Sequence, residues 1–490
     1  MLYDYDLIVL GGGAGGLTSS AIASTLGART LMVERARLGG DCTWHGCVPS
    51  KTLLKGARIA RQIRNAGAYG LIDQSADVPF GRMMEYVRSV REEVYRDADA
   101  PERYEQLGVE VRFGNGRFLD AHTIEIQATG SVEHVSGRFV VVATGATAFV
   151  PPIPGLSEVP YLTNETLFEM DRQPDRLAIL GAGPIGVEMA QAFARFGTQV
   201  TVVDILDRIL PRDDEEMAGI LGSRLEDEGV DLVLGARVAG VRAVNDGVSL
   251  TATASGEPVE IEADSLLVAT GRRANIGLLN LDKAGVRTAD GSIAVDRRCR
   301  TNVRHVYAVG DVTGQYQFTH MSEHMAKVAV SNALLKLPAR VDNRNVPWVT
   351  FTDPEIAHVG ASVQDLEKKG VRYRTYRFPY SMIDRAITDG ETEGLIKVYA
   401  RESTGRIFGV DIAGARAGEL ISEYALAIRN GLSLRNIADT IHPYPTYALG
   451  ARRAADQWYV QKRAPWMTRL VKAVFRYRGP VLEFGEDDIL

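Results

Sequence analysis

The chain has 490 residues, 45% of them hydrophobic and 24% charged, with a formal net charge of −6. This near-neutral balance argues against a whole-chain nucleic-acid surface, and no apolar run reaches the roughly 18 residues of a membrane span. The first residues lack the basic segment of a secretory signal, so we expect no such leader. The length suggests about three domains. Three cysteines in a chain of this length indicate a protein of the reducing cytoplasm rather than a disulfide-stapled secreted one.

The first predicted element is an apolar strand at 5–10, followed by a glycine turn and a helix. Gly11, Gly13 and Gly16 match the G-x-G-x-x-G spacing, in which glycines allow a tight turn and a close approach to a pyrophosphate. The next strand is expected to end at Glu34, where a carboxylate would accept ribose hydroxyls. The segment therefore predicts a nucleotide-binding unit with helix N-terminal N–H groups facing phosphate.

The same pattern returns further along the chain. Gly181, Gly183 and Gly186 repeat the spacing, and the following strand is expected to end at Asp204, at the same interval from its first glycine. Each unit is followed by an apolar strand and Ala-Thr-Gly, at 143–145 and 269–271. The repeat predicts two nucleotide-binding domains. A carboxylate at 204 would repel a 2′-phosphate, so NADH is expected in preference to NADPH, although nearby Arg208 complicates the local charge.

Two of the three cysteines, Cys42 and Cys47, lie in GGDCTWHGCVPSK at 39–51. Such a pair could be a metal clip, a structural bridge or a redox-active pair. A zinc site would need a second Cys/His pair at ligand spacing, which the sequence lacks. Cysteines at the start of a helix have depressed pKa values, which favours the redox-active interpretation.

These motifs, together with VYAVGDVTG at 306–314, resemble the class I pyridine nucleotide-disulfide oxidoreductases, or flavoprotein disulfide reductases. That family includes dihydrolipoamide dehydrogenase, glutathione reductase and mercuric reductase. The resemblance implies an α/β fold with two Rossmann-like domains and a C-terminal α+β dimerisation domain, as in glutathione reductase. The implied divisions are an FAD domain at 1–150, an NAD(P) domain at 151–275, a central domain completing the FAD site at 276–345, a dimer-interface domain at 346–462 and a tail at 463–490.

The resemblance also implies residue roles. Cys42 would meet the substrate and Cys47 would lie against the flavin, with Lys51 near the flavin N5 atom and paired with Glu188. Asp311 would bind the ribityl chain. The residues expected to bind FAD or the pyridine nucleotide are Gly11, Gly13, Ala14, Gly15, Gly16, Glu34, Arg35, Gly40, Cys42, Cys47, Lys51, Ala143, Thr144, Gly145, Gly181, Gly183, Ile185, Gly186, Glu188, Asp204, Gly271, Arg272, Gly310, Asp311, His320 and Met321.

The acid–base position departs from the family pattern. Reductases of small disulfides carry His-Pro-Thr, with a Glu five residues after the His, and the partner subunit supplies this pair to protonate the leaving thiolate. Here IHPYPTYALGARRAA at 441–455 places Tyr444 at the His position and Leu449 at the Glu position. The alternative register on His442 places Tyr447 at the Glu position. Either register loses the pair, so Tyr444 and His442 are the catalytic candidates and efficient lipoamide or glutathione turnover is not expected.

The predicted function is an FAD-dependent oxidoreductase that passes electrons from NADH through the cysteine pair to a disulfide, a soft metal ion or a quinone-like acceptor. Mercury(II) reduction proper is an alternative, because Tyr444 is similar to mercuric reductase but no cysteine follows Cys299. A flavin-bearing redox sensor or binding module is an alternative of another class. We expect a homodimer with a small-molecule substrate and no nucleic-acid partner. We expect no metal site, because the His-x-x-Glu-His pattern at 320–324 follows the flavin motif by only a few residues.

The segment RAPWMTRLVKAVFRYR at 463–478 predicts an amphipathic helix. Trp466, Leu470, Val474 and Phe475 would lie near one face, with basic residues elsewhere. The sequence favours packing of this face onto the protein's own dimer, and it leaves contact with an anionic membrane or another protein as alternatives.

Overall fold

The computed structural model describes residues 2–245, 247–462 and 465–481. The chain forms two compact units. The first comprises Met1–Ala60, Asp77–Ile205 and Asp231–Asp342, and the second comprises Arg61–Ala76, Leu206–Val230 and Asn343–Leu490. The finer division implied by the resemblance, with boundaries after 150, 275, 345 and 462, stays a prediction.

The first third of the chain begins with a strand, a helix and a strand, as the glycine motif predicts, and continues with a group of helices and then a group of strands. The strands are β1 (Tyr5–Leu10), β2 (Thr30–Glu34), β3 (Val109–Phe113), β4 (Asn115–Phe118), β5 (Thr123–Ala128), β6 (Ser131–Val142) and β7 (Ala146–Ala148). The helices are α1 (Ala14–Thr25), α2 (Gly40–Trp44), α3 (Cys47–Arg64), α4 (Phe80–Val94) and α5 (Pro101–Gln106).

The middle third repeats the strand–helix–strand pattern and then becomes rich in short strands. Its helices are α6 (Asn164–Leu167), α7 (Pro184–Phe196), α8 (Glu215–Asp227) and α9 (Thr319–Leu334). Its strands are β8 (Arg176–Leu180), β9 (Gln199–Val203), β10 (Val230–Val233), β11 (Ala236–Val244), β12 (Gly247–Ala254), β13 (Glu257–Ala263), β14 (Ser265–Val268), β15 (Arg272–Ala274), β16 (Thr288–Ala289), β17 (Ser292–Ile293) and β18 (Val306–Ala308).

The last third contains strands of four to eight residues, and helices predominate after the last of these strands. The strands are β19 (Pro347–Thr350), β20 (Glu355–Gly360), β21 (Arg374–Pro379), β22 (Leu395–Ala400) and β23 (Ile407–Gly414). The helices are α10 (Val363–Lys368), α11 (Asp384–Asp389), α12 (Ala417–Arg429), α13 (Leu434–Asp439), α14 (Ala448–Lys462) and α15 (Pro465–Phe475).

One sheet of the first unit is built around β1. This strand pairs in parallel with β2 and β6, while β3 and β18 extend the parallel pairing. The antiparallel strands β5 and β4 follow β6 at one side. Leu7, Ile8 and Val9 of β1 are fully buried, because a central parallel strand is covered on both faces and needs a continuous apolar run.

The second glycine motif has its own parallel sheet, with strand order β10-β9-β8-β14. Strand β8 pairs in parallel with β9 and β14. The expected strand end at Glu34 is observed for β2, whereas β9 ends at Val203, one residue before Asp204. Two parallel sheets, each with its glycine turn and helix, give the mixed α/β architecture that the repeated motif predicts.

The second unit contains a five-stranded antiparallel sheet of order β19-β20-β23-β22-β21. Helices α12 and α14 pack on this sheet, and the core between them contains Tyr376, Ile412, Tyr424 and Trp458. None of the helices that the structure describes is long and apolar enough to span a bilayer.

A network of buried polar side chains ties residues 206–230 to this sheet. The Lys397 ammonium donates to both carboxylate oxygens of Asp214 at 2.8 Å. The Tyr399 hydroxyl donates to Asp411 at 2.6 Å, and the Nδ1 atom of His358 lies 2.6 Å from the other oxygen of Asp411. The polar groups of this core are therefore satisfied by one another, as burial requires.

Two neighbouring carboxyl groups in this network have opposite pKa shifts. Burial raises the pKa of Asp213 to about 6, although the Trp348 indole N–H donates to it at 2.8 Å. Burial also opposes ionisation of Asp214, but the hydrogen bond and charge of Lys397 hold the pKa of that carboxyl below its ordinary value. At neutral pH the ionised form of Asp213 therefore lowers the free energy of unfolding, and the ionised form of Asp214 raises it.

We expect Asp213→Asn to stabilise the protein at neutral pH. A carboxyl whose folded pKa lies above its unfolded value loses stability as pH rises from about 4 to about 6, by up to roughly 3 kcal/mol. The amide removes this loss and keeps an oxygen that accepts from Trp348. The thermal midpoint of the variant should exceed that of the wild type above about pH 6, and the difference should disappear near pH 4.

Asp214→Asn is the matched control, because it removes a charge from the adjacent position with the opposite shift. It should lower the thermal midpoint at neutral pH, since it weakens the contact with Lys397. An increase for Asp213→Asn that does not change with pH would contradict the assigned role of that carboxyl.

Candidate active site

The first glycine of each motif adopts a backbone conformation that L side chains rarely reach. Its φ is +107° at Gly11 and +109° at Gly181. A Cβ would lie 2.4 Å from the carbonyl oxygen of Ala143 at the first position, and 2.5 Å from that of Ala269 at the second. Each turn therefore packs against the alanine of an Ala-Thr-Gly segment, which explains why the two sequence features recur together.

The third glycine of each motif sets the distance between turn and helix. A Cβ on Gly16 would lie 1.8 Å from the carbonyl oxygen of Gly11, and one on Gly186 would lie 1.9 Å from that of Gly181. Helices α1 and α7 can therefore begin directly over the turn. Their N-cap residues, Gly13 and Gly183, provide no capping side chain. The N-terminal N–H groups thus suit the phosphates of a dinucleotide.

The two strand-end carboxylates are placed alike. Glu34 accepts a hydrogen bond from the Gly12 N–H at 2.7 Å, and Asp204 accepts one from the Ala182 N–H at 2.6 Å. Each carboxylate thus lies at the rim of its glycine turn, where the ribose of a bound nucleotide would lie. Both turns suit the pyrophosphate and ribose of a dinucleotide. The expected assignment of the first turn to FAD and of the second to the pyridine nucleotide stays a prediction.

The segment that carries the cysteines packs on the first glycine turn. Gly39 and Gly40 have φ values of +98° and +61°, and Gly39 forms an isolated parallel bridge with Gly13. A Cβ on Gly40 would lie 2.7 Å from the Gly13 Cα atom. This contact between glycines places α2, which contains Cys42, beside the turn that suits the pyrophosphate.

Cys42 and Cys47 lie close enough for their side chains to hydrogen-bond to each other. The hydrogen bond from Cys42 lowers the pKa of Cys47 to about 6, with further help from Thr319 and from the charge of Lys51. The same contact, together with burial, raises the pKa of Cys42. The contact therefore favours the thiolate at Cys47 and the thiol at Cys42.

Lys51 and Glu188 are brought together although they are far apart in the sequence. The ammonium donates to both carboxylate oxygens, at 3.0 and 2.8 Å. Lys51 lies one turn after Cys47 on α3, and Glu188 lies on α7, where it is 4% exposed. The ion pair joins the cysteine helix to the helix of the second glycine motif.

Asp41, which precedes Cys42, contacts a charged and a neutral polar side chain. The Arg272 guanidinium lies 3.0 Å from the carboxylate of Asp41 and 3.4 Å from that of Asp311. The Asn164 amide donates to Asp41 at 2.9 Å. Burial raises the pKa of Asp311, against the opposing charge of Arg272. Arg272 thus joins the cysteine segment to the turn that contains Asp311.

Three residues that make polar contacts at the cysteine segment were not predicted. Thr319 lies 3.6 Å from the Cys47 sulfur, and Asn164 and Asp41 contact each other beside Cys42. Asp41 could have been predicted as a site residue from the sequence, because it is adjacent to Cys42. Thr319 and Asn164 had no local signal, because tertiary structure alone brings them to the cysteines.

The remaining predicted cofactor residues occupy varied positions. Gly310 has φ +75° before Asp311, Met321 is buried on α9, and His320 is exposed and stacks on Phe318 at 5.3 Å. Arg35 and Gly271 are exposed, and Ile185 is half-buried in the first turn of α7. Their contacts with a cofactor stay predictions. Among residues with described positions, no group of three or more His, Cys, Asp or Glu could hold a metal ion.

The two acid–base candidates belong to the second unit. Tyr444 is 69% exposed, and its hydrogen bond to Asp384 raises the pKa of the phenol. The Nε2 atom of His442 lies 3.0 Å from a carboxylate oxygen of Glu423, and its Nδ1 atom lies 2.9 Å from the Thr440 carbonyl oxygen. Their role at the cysteine pair stays a prediction.

Comparison with known proteins assigns two segments of the chain to one protein family. Residues 5–326 match the pyridine nucleotide-disulphide oxidoreductase family, and residues 346–455 match the dimerisation domain of the same family. A mercuric reductase of Staphylococcus aureus is 34% identical over 92% of this chain and 82% of its own length. A dihydrolipoyl dehydrogenase of Haloferax volcanii is 34% identical over 92% of this chain and 95% of its own.

Solved structures give the same result. A Cu(II) complex of the HOCl-induced flavoprotein disulfide reductase RclA from Escherichia coli matches 94% of this chain and all of its own, with a TM-score of 0.82 and 26% identity. LpdA from Mycobacterium tuberculosis matches 92% of this chain and 99% of its own, with a TM-score of 0.85 and 29% identity. The predicted family and fold class are confirmed. The chain belongs to the pyridine nucleotide-disulphide oxidoreductase family, whose members are oxidoreductases that use FAD and pyridine nucleotides.

Proposed function

We propose that the chain is a homodimeric cytoplasmic enzyme that oxidises NADH and passes two electrons through the Cys42–Cys47 pair to an external acceptor. The observation that carries this proposal is the contact between Cys42 and Cys47 beside the first glycine turn, with the Lys51–Glu188 ion pair one helical turn after Cys47. Bound FAD would supply the two-electron transfer from nicotinamide to sulfur.

The first unit would hold FAD through its own backbone and carboxylates. The N–H groups at the start of α1 would bind the pyrophosphate, Glu34 the adenosine ribose and Asp311 the ribityl chain. Lys51, held by Glu188, would lie near the reactive part of the ring. The salt bridge holds the ammonium in place, where its charge supports the neighbouring thiolate.

Reduction of the sulfur–sulfur bond takes two electrons and one proton, which leaves Cys42 as thiol and Cys47 as thiolate. The hydrogen bond between the sulfurs provides a path for that proton. When Cys42 attacks an acceptor, its proton can pass to Cys47. The pair therefore carries out the first exchange without an added base.

Soft metal ions are the acceptors that the site favours. Tyr444 stands where reductases of small disulfides have the acid–base histidine, and its raised pKa makes it a weak acid. The relatives include a mercuric reductase, and the matched RclA structure is a Cu(II) complex. Within this class of acceptor, an enzyme dedicated to mercury(II) reduction is the narrower, second candidate function. A disulfide is the acceptor that would most need a proton donor.

The preference for NADH is proposed from the second carboxylate. Asp204 lies at its glycine turn, where a 2′-phosphate would meet a like charge. Arg208 donates to the carbonyl oxygens of Asp213 and Pro211. Its hydrogen bonds are therefore directed to backbone atoms of its own loop.

We expect Cys42→Ser to abolish the NADH-dependent reduction of Hg(II), Cu(II) and disulfides, because this sulfur makes the exchange. Direct electron transfer from the flavin to a dye should persist. Cys299→Ser is the matched control, since this buried thiol is not a member of the pair and its replacement should leave acceptor reduction unchanged. Steady-state NADH oxidation under anaerobic conditions measures both. Stoichiometric rather than continuous oxidation with every acceptor would instead indicate a redox sensor.

Asp204→Asn should raise the ratio of kcat/KM for NADPH to that for NADH by about tenfold, because it removes a charge from the 2′ position. The amide keeps an oxygen that accepts from the Ala182 N–H. Glu34→Gln makes the same change at the first glycine turn. It should weaken FAD retention and leave the ratio unchanged, and a ratio that moves equally in both variants would contradict the assignment.

The reduced wild-type protein should show a thiolate absorbance that develops as pH rises through about 6 and is lost in Cys47→Ser. Thr319→Val removes a hydrogen bond to that sulfur and should move the transition upward by roughly half a pH unit or more. Thr52→Val is the control on α3, because its hydroxyl donates to the Val48 carbonyl instead. Ultraviolet difference titration measures all four proteins, and equal transitions in the two threonine variants would exclude the role of Thr319.

A further inference from the structure

The helix α15 divides into two unlike halves. At about 100° per residue, one half of its surface contains only apolar side chains and the opposite half contains the polar ones. The apolar half consists of Trp466, Met467, Leu470, Val471, Val474 and Phe475, and the polar half of Thr468, Arg469 and Lys472. No polar residue interrupts the apolar half.

The apolar half is exposed to solvent. The exposed fractions run from 43% at Met467 and Val471 to 63% at Trp466 and Val474. A contiguous apolar surface of this kind marks a contact with another molecule rather than ordinary surface scatter. Tyr477, which stacks on Phe475 with ring centroids 5.8 Å apart, extends it past the end of the helix.

The segment around the helix is strongly basic. Positions 462–481 contain six Lys or Arg and no Asp or Glu, in a chain whose net charge is −6. Four acidic residues follow at 483–488, outside the described residues. A cationic face opposite an apolar one is complementary to a surface that presents anions above hydrocarbon.

We propose that α15 docks the protein on an anionic lipid surface. The apolar half would enter the boundary between headgroups and acyl chains, and Arg469, Lys472, Arg476 and Arg478 would meet the lipid phosphates. An unbroken apolar half-cylinder, with tryptophan and tyrosine near its edges, suits a flat apolar phase with a polar rim. This docking does not depend on the proposed electron acceptor.

A second copy of the chain is the competing occupant. The match to the family's dimerisation domain ends at residue 455, ten positions before α15 begins at Pro465. The dimer contact shared by the family therefore does not require this helix. The basic charge is also explained directly by lipid phosphates, whose attraction for clustered Lys and Arg is well established.

The test uses the full-length FAD-loaded protein and vesicle flotation. We expect flotation with vesicles that contain phosphatidylglycerol, little with pure phosphatidylcholine, and weaker flotation at high salt. Leu470→Asp should weaken binding by about tenfold or more, and Lys472→Glu should weaken binding to anionic vesicles while the apolar face is intact. NADH oxidation in solution should be unchanged in both.

The matched control is Leu278→Asp, which adds the same charge at an apolar residue that is 69% exposed in the first unit. It should float as the wild type does. Absent flotation of the wild type, or equal flotation of Leu470→Asp, overturns the proposal. If Leu470→Asp separates the dimer in sedimentation velocity while the wild type does not bind lipid, a second copy covers the face and the proposal is wrong.

Discussion

The first unit depends on backbone approaches that are too close for any Cβ atom. Gly11 lies against the carbonyl of Ala143, Gly16 lies against the carbonyl of Gly11, and Gly40 lies against the Cα atom of Gly13. Because these contacts share one turn, the end of β6, the start of α1 and the start of α2 meet at the same place. The nucleotide-binding turn and the cysteine segment are therefore parts of a single packing arrangement.

This arrangement also sets the chemistry of the sulfurs. A helix N-terminus alone would stabilise a thiolate at Cys47, but the shift has more specific sources. Cys42 donates to it from α2, Thr319 contacts it from α9, and Lys51 adds a positive charge that is fixed by Glu188 from α7. Each source comes from a different element, so the reactivity of the pair is a property of the folded unit.

The sequence could predict the parts of the site whose physical requirement is local. The two glycine turns and the carboxylates at Glu34 and Asp204 follow from spacing alone, and the tail helix follows from its period. The helix ends at Phe475, earlier than its apolar pattern suggested, because Arg476 takes a φ of +56°. Contacts between distant segments, such as Thr319 with Cys47 or Lys397 with Asp214, had no periodic signal and needed the fold.

The proposed preference for a metal ion as acceptor depends on the residue at the acid–base position and on the two unlike thiols. Reducing a disulfide releases a thiolate that needs a proton, and Tyr444, hydrogen-bonded to Asp384, holds its proton more tightly than a histidine would. A soft metal ion releases no such group; it needs sulfur ligands that are already deprotonated or can become so. The reduced pair supplies one thiolate, which is favoured at Cys47, and coordination of a metal ion by both sulfurs would release the Cys42 proton to solvent. The tyrosine at 444 is therefore the residue on which the proposed preference for a thiophilic metal ion over a disulfide depends.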